Sequence, residues 1–287
     1  VLKSTYPLAG HDVHRIGFGA MQLPGPGVFG PPRDHDQAIA VLRRAVELGV
    51  DHIDTAQFYG PDVSNELIRE ALHPYGDDLV LVSKVGARRD AAGAWLPALQ
   101  PQQLKEDVEE NLRTLGTEQL GAVNLRLHED DGSVQDAEPQ DELAAQLEAM
   151  KQLRDEGKIA GIGISTATLD QVRTAHESVG LVCVQNAFSY VDQSDADVLD
   201  YCTEQGIAYV PYFPLGSAFP QMPKVTDDDQ VKAVAQRLGV TPAQVGLAWL
   251  LRRAANVLLI PGTSSVAHLE DNIATGDVEL AEGDLAG

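Results

Sequence analysis

The sequence predicts an α/β fold, a (β/α)8 TIM barrel, on three observations. Short apolar runs, often β-branched, recur eight times, and each leads into a longer stretch with helical periodicity. That alternation calls for parallel strands joined by crossover helices, and eight such units in about 250 residues suit a closed barrel. An open doubly wound sheet would want a complete glycine-rich phosphate turn after its first strand. Gly17-Phe-Gly19 begins one, but Gln22 stands where the third glycine belongs.

Taken in order, residues 2–14 are expected to form an N-terminal β-hairpin capping the barrel floor. The first strand is read over 15–18. The stretch Leu23-Pro-Gly-Pro-Gly-Val-Phe-Gly-Pro-Pro-Arg33 that follows is too rich in proline and glycine for regular structure. A helix over 36–48 leads to a strand at 52–54, and a helix over 64–73 to a strand at 79–84. A second long loop, 86–100, precedes the helix 101–115 and the strand 122–127. An acidic loop spans 129–139. The helices 141–156, 169–179 and 196–204 then alternate with strands at 160–164, 181–185 and 208–212. Two helices, 228–238 and 242–253, precede the eighth strand at 257–260, and a last helix begins near 266. All 287 residues are read as one domain. The loops 23–33 and 86–100 should lie over the C-terminal face of the barrel, where such folds place their sites.

Bulk properties narrow the function. The net charge of −22 repels nucleic acid and anionic membrane surfaces, so neither is expected as a partner. No apolar run approaches the roughly 20 residues of a membrane helix. The N-terminal residues carry no basic region followed by an apolar stretch. The two cysteines, Cys183 and Cys202, make no disulfide framework. A cytoplasmic setting is expected.

Only side chains at the C-terminal ends of strands reach the barrel mouth, so those residues matter most. Asp54 ends the second strand in Asp54-Thr-Ala-Gln-Phe-Tyr-Gly60, with Tyr59 one turn on, and Lys84 ends the third. A phenol is a poor acid at neutral pH, with an ordinary pKa of about 10. A buried ammonium beside it should lower that pKa, and a carboxylate should keep the ammonium charged. The three together could protonate a carbonyl oxygen while a hydride reaches its carbon. His128, Ser165, Gln185-Asn186, Tyr212 and Pro261-Gly-Thr-Ser-Ser265 complete the ring of strand ends. Each has a bland reading: Asp54 as a turn cap, Lys84 as a solvated arm, His128 as a structural histidine. On one face of one fold, the set is harder to dismiss.

The chain resembles the aldo-keto reductase superfamily over nearly its whole length. The matching motifs include Gly17-Phe-Gly-Ala-Met21, Gly49-Val-Asp-His-Ile-Asp-Thr-Ala56, Tyr59-Gly60, Ser83-Lys84, Leu127-His128 and Ile260-Pro-Gly-Thr-Ser-Ser-Val-Ala-His-Leu-Glu-Asp-Asn272. Within it, Gly19-Ala-Met-Gln-Leu23, Gly25-Pro-Gly-Val-Phe-Gly-Pro-Pro-Arg33 and Tyr209-Val-Pro-Tyr-Phe-Pro-Leu215 look most like the bacterial pyridoxal reductase branch. The resemblance implies a tetrad in which Tyr59 is the general acid, Lys84 lowers its pKa, Asp54 holds Lys84, and His128 orients the carbonyl.

It also implies an NADPH site, with NADH as an alternative. Ser165, Gln185 and Asn186 would bind the nicotinamide carboxamide, and Tyr212 would stack on the ring. Phe213, Leu215 and Ser217 would flank the pyrophosphate. Gly262, Thr263, Ser264 and His268 would take the adenosine 2′-phosphate, helped by a helix N-terminus, while Asp271 and Asn272 would meet the adenine. Many relatives carry Lys at position 262 and Arg at 268; Gly262 and His268 here remove two fixed charges. The expected substrate is a small aldehyde or ketone, pyridoxal first, in a pocket lined by Phe29, Phe58, Trp95 and Arg126. Two rivals share the fold: a metal-dependent hydrolase using His52, Asp54 and His128, and a non-catalytic nucleotide-sensing subunit.

Overall fold

The computed structural model describes residues 2, 4–128, 140–216 and 223–285. The acidic loop 129–139 and Ser217 lie outside them. The chain opens with a hairpin, β1 (Thr5–Leu8) and β2 (His11–His14), paired antiparallel with Leu8 opposite His11. Its two turn residues, Ala9 and Gly10, both have positive φ, 50° and 86°, as the tight type I′ turn of a two-residue hairpin requires.

Seven parallel strands follow in the ring: β3 (Phe18–Gly19), β4 (His52–Asp54), β5 (Val80–Val85), β8 (Leu120–Arg126), β9 (Ile159–Ser165), β10 (Leu181–Gln185) and β11 (Ala208–Tyr209). They pair in that spatial order. The eighth position is filled without a ladder. Single parallel bridges join Leu259 to Ile16 and Val257 to Tyr209. Backbone hydrogen bonds from Gly17 to Leu259, from Leu259 to Arg15 and from Leu258 to Tyr209 close the circle. The expected barrel is therefore present, with its first and last strands reduced to a narrow seam. The Arg15 guanidinium stiffens that seam by donating to the carbonyls of Val257, Leu251 and Ala254.

The helices wrap the outside: α1 (His35–Glu47), α2 (Val63–Leu72), α3 (Pro101–Leu115), α4 (Gln140–Asp155), α5 (Leu169–Val179), α6 (Ala196–Gln205), α7 (Asp229–Leu238), α8 (Pro242–Arg253) and α9 (Val266–Ala274). Their ends are written locally. Thr168 and Thr241 each form a reciprocal capping box with a glutamine three residues on, and Pro101 and Pro242 occupy the first turn. None of these helices is long and apolar enough to cross a membrane.

Two differences from the expected elements lie on the mouth face. The loop 86–100 contains a second hairpin, β6 (Ala87–Arg89) paired with β7 (Trp95–Pro97). The Asp90 side chain accepts from the amides of Ala92 and Ala94 and so nucleates its turn. The Pro/Gly-rich segment 23–33 holds a short 3-10 turn, Pro26–Val28, and is pinned to the next loop by a bridge between Phe29 and Gly60.

The floor is closed as expected. Leu8 and Val13 from the hairpin pack with Val80, Val82, Ala122, Cys183, Ala208 and Leu258 from the ring. Each large aliphatic buried there contributes about 1.5–3 kcal/mol. Above this plug the interior turns polar. His52 is buried with Nε2 unpartnered among the described residues. Its ring fills the space that a side chain at position 17 would need, since a Cβ on Gly17 would lie 2.2 Å from it. Cys183 and Cys202 are both buried free thiols.

Candidate active site

Strand alternation sends His52 and Asp54 to the same interior face, two residues apart. Asp54 thus stands at the mouth end of β4, beside Lys84 near the end of β5. The Lys84 ammonium donates to Asp54 Oδ1 and, at 3.0 Å, to the Thr55 carbonyl. The other carboxylate oxygen, Oδ2, accepts from Gln185 Nε2 at 2.9 Å. Asp54 and Lys84 are 4% and 5% exposed, so this is a buried ion pair with its polar atoms satisfied. Such a pair stabilises a fold poorly, because desolvation consumes most of the Coulombic gain. Its worth is that it fixes a charge.

That charge sits under a phenol. Lys84 Nζ lies 5.1 Å from the centre of the buried Tyr59 ring. Burial alone would pull the Lys84 ammonium down, but Asp54 and then Tyr59 outweigh it and hold its pKa above the ordinary value. The expectation for Tyr59 needs correcting. Burial, the largest influence, pushes the phenol up; Lys84 pulls it down and Asp54 pushes it up, and the result lies above the ordinary 10.0. Lys84 therefore lowers the pKa only against a larger opposing effect. The phenol stays protonated across neutral pH, which is the form a proton donor needs.

His128 stands just past β8, half-buried. Burial and then the Arg126 charge hold its pKa below 6.5, against a backbone hydrogen bond with Gly86 that raises it. The imidazole is thus neutral at neutral pH, and its buried Nε2 has no partner among the described residues. A bond that raises the pKa is one the ring donates, so the neutral ring spends its single proton on Gly86 and leaves Nε2 as an acceptor, which suits a hydroxyl and not the carbonyl oxygen expected from the sequence.

The four expected substrate residues fall along one wall. Phe58 meets Tyr59 at 5.5 Å and Trp95 at 5.4 Å, both edge to face. Arg126 lies 5.9 Å from the Trp95 ring. Phe29 joins through Arg89, a residue that sequence reading did not assign to the site. The Arg89 guanidinium is 4.1 Å from the Trp95 ring and 5.3 Å from the Phe29 ring. It donates to the carbonyls of Gly93, Val28, Phe58 and Gly27. One side chain thereby ties three loops into a wall.

The expected cofactor residues occupy the opposite half. Buried Ser165 and Gln185 end β9 and β10, and Gln185 keeps its amide oxygen uncommitted by the bond to Asp54. Asn186 differs from its expected role: its amide nitrogen donates to Ala167 O and Asp195 Oδ2, and its oxygen accepts from Ala167 N. It braces a loop and has little left for a ligand. The half-buried Tyr212 has its hydroxyl 3.4 Å from Thr166 Oγ1, and Phe213 packs edge to face against its ring. Leu215 and Gly216 follow. Lys224, bridged to Gly216 and exposed, is a cation there that sequence reading passed over.

At α9, Ser265 caps the His268 amide and Thr263 Oγ1 accepts from Ser265 N. Neither cap consumes the first-turn amides of Val266 and Ala267. Ser264, His268 and Asp271 are exposed, Asn272 and Gly262 half-buried. Glu270, on the same helix, is paired with Arg44 at 2.8 Å, which mutes its repulsion of an anion. Carboxamide partners, an aromatic face and an anion-receptive helix end are the donor set a nicotinamide dinucleotide requires, so these residues fit it. No group of three metal-ligating side chains converges among the described residues, and His52 and Asp54 gain no third partner of that kind.

Known proteins resemble this chain in sequence and fold. A model of the aldo/keto reductase family matches residues 15–286. The chain is 48% identical to pyridoxine 4-dehydrogenase of Escherichia coli over 98% of this chain and 95% of that one. It is 38% identical to an uncharacterised oxidoreductase of Schizosaccharomyces pombe over 94% and 83%. Among solved structures, an aldo/keto reductase from Klebsiella pneumoniae in complex with NADP and acetate superposes with a TM-score of 0.79 at 25% identity, covering 99% of this chain and 93% of that one.

Proposed function

The chain belongs to the aldo/keto reductase family of oxidoreductases, and from that premise we propose that it reduces pyridoxal to pyridoxine with NADPH. The observation that carries the chemistry is the buried Asp54–Lys84 pair beneath the Tyr59 phenol. The dinucleotide, when bound, supplies the hydride. The protein's part is to bring the carbonyl carbon to it and to donate the proton. Tyr59 Oη gives its proton to the carbonyl oxygen. The phenolate left behind is stabilised by the Lys84 ammonium, which Asp54 keeps charged and which Gln185 keeps in place through Asp54. His128 Nε2, an acceptor in the neutral ring, would receive a hydroxyl of the substrate or of the product alcohol. In the reverse direction the same phenolate is the base.

Ser165 and Gln185 would receive the carboxamide, and Tyr212 would cover one face of the nicotinamide. Phe213, Leu215 and Lys224 would border the pyrophosphate. The α9 terminus with Thr263, Ser264 and His268 would take the 2′-phosphate. NADPH is favoured over NADH by that anion-receptive terminus and by the NADP bound in the Klebsiella relative. The substrate proposal rests on the aromatic wall and on the activity named for the 48% identical relative.

The test is NADPH consumption with pyridoxal beside a panel of other carbonyls, for the wild type and Tyr59→Phe. The variant should lose about 10²- to 10⁴-fold in kcat while binding NADPH. Wild-type reduction should show no alkaline loss until above 10.0, the side to which the phenol is shifted. Full turnover by Tyr59→Phe would remove the mechanism; turnover on other carbonyls with none on pyridoxal would remove the substrate.

A further inference from the structure

Of Arg88, Arg89 and Arg126, which end or follow the barrel strands at the mouth, two are spent. Arg88 is paired with Glu106 at 2.9 Å and Asp107 at 2.8 Å. Arg89 is held by four carbonyls. Arg126 is different. It lies two residues beyond Asn124, whose Oδ1 accepts from Cys183 Sγ inside the barrel. Strand alternation therefore turns Arg126 inward as well. Among the described residues it has no carboxylate at ion-pair distance, and it faces the Trp95 ring. It is half-buried, so its charge is only partly screened.

Its place relative to the chemistry is set by rings. Tyr59, Phe58, Trp95 and the Arg126 guanidinium succeed one another at 5.5, 5.4 and 5.9 Å. Asn124 is the register partner of Lys84, so Arg126, two residues on along the same inward face, stands one layer above the ammonium beneath Tyr59, where the neighbouring substituent of a carbonyl held at Tyr59 would meet it. The guanidinium charge also reaches Tyr59 and His128, pulling both pKa values down. On a chain of net charge −22, a cation in the mouth that no described carboxylate answers is where an anionic ligand gains most.

We propose that Arg126 recognises an anionic oxygen carried beside the substrate's carbonyl. The site then favours aromatic aldehydes with an ionised hydroxyl or carboxylate adjacent to the aldehyde. The planar guanidinium suits this, since its forked donors make charge-assisted bonds to such an oxygen. The inference rests on the reductase reading above and deepens it: in pyridoxal the group concerned is the ring hydroxyl next to the formyl carbon.

The experiment compares kcat/KM within two pairs, pyridoxal with 3-deoxypyridoxal and 2-formylbenzoate with benzaldehyde, for wild type, Arg126→Gln and Arg126→Lys. Each ratio is taken within one preparation, so the folded fraction cancels. The anionic-to-neutral ratio should fall about 10- to 100-fold in Arg126→Gln, the worth of one hydrogen bond to a charged group, and recover in part in Arg126→Lys. An unchanged ratio, with both partners of each pair falling in step, would overturn the proposal, because a residue that only tunes Tyr59 acts on every carbonyl alike. If the wild type ignores pyridoxal yet the formylbenzoate ratio collapses in Arg126→Gln, the pyridoxal reading fails and the Arg126 assignment stands.

Discussion

The two ends of the barrel solve opposite problems with the same short segment. Asp51 and Asp54 are three residues apart, yet one serves the floor and the other the mouth. Asp51 accepts from the His14 amide at 2.9 Å and from His14 Nδ1 at 2.6 Å, so it fastens the N-terminal hairpin beneath the ring. That pair is partly solvated, with side chains 33% and 20% exposed. Asp54 holds Lys84 in a pair with almost no solvent. The floor is sealed by apolar side chains with one polar fastening at its edge. The mouth buries charge and, among the described residues, leaves His128 Nε2 uncommitted. The difference teaches where stability and chemistry reside: the lower layer supports the ring, and the upper layer spends part of that support on a fixed ammonium.

If that division is right, the largest effect comes from Lys84→Met. It should remove most reductase activity and, by leaving Asp54 buried without its partner, cost about 3–5 kcal/mol in urea unfolding. Adding Asp54→Asn should restore much of the stability and none of the activity. A double variant no more stable than the single one would break the comparison. Next in size is Leu8→Ala at the floor. It should cost about 2–5 kcal/mol and leave kcat of the folded enzyme unchanged. A fall in kcat there would mean that the plug also positions the mouth. The smallest effect is Asp51→Asn, about 1 kcal/mol for a partly solvated pair. A loss as large as that of Leu8→Ala would mark the pair as structurally buried after all.

Much of this was legible in the sequence, for a physical reason. Parallel strands with crossover helices leave a repeating pattern, and a barrel delivers strand-end residues to one face, so Asp54, Lys84 and Gln185 could be placed together from their positions alone. The hairpin plug was legible as well. What escaped depends on more than one segment. Arg89 acts through carbonyls from three loops, none of which advertises the contact. The β6–β7 hairpin had a signal in Asp90 and Gly93, a side-chain-supported turn between Ala-Arg-Arg and Trp-Leu-Pro, but it read as loop. The direction of the Tyr59 shift escaped because burial outweighs the Lys84 charge, and no local pattern reports burial at a loop tyrosine. Asn186 looked like a ligand residue until its amide was found engaged with Ala167 and Asp195.

The seam has a temporal consequence. The hydrogen bond from Arg15 to Val257 joins positions 242 residues apart, and the ring is completed only through such links. Residues 54, 59, 84 and 128 all precede the closing segment in the chain and leave the ribosome before it. The bridges at 257 and 259 emerge only afterwards. The half of the mouth that carries Asp54, Tyr59 and Lys84 is therefore synthesised before the barrel that must hold it can close, and until then its buried charges have no finished interior to occupy.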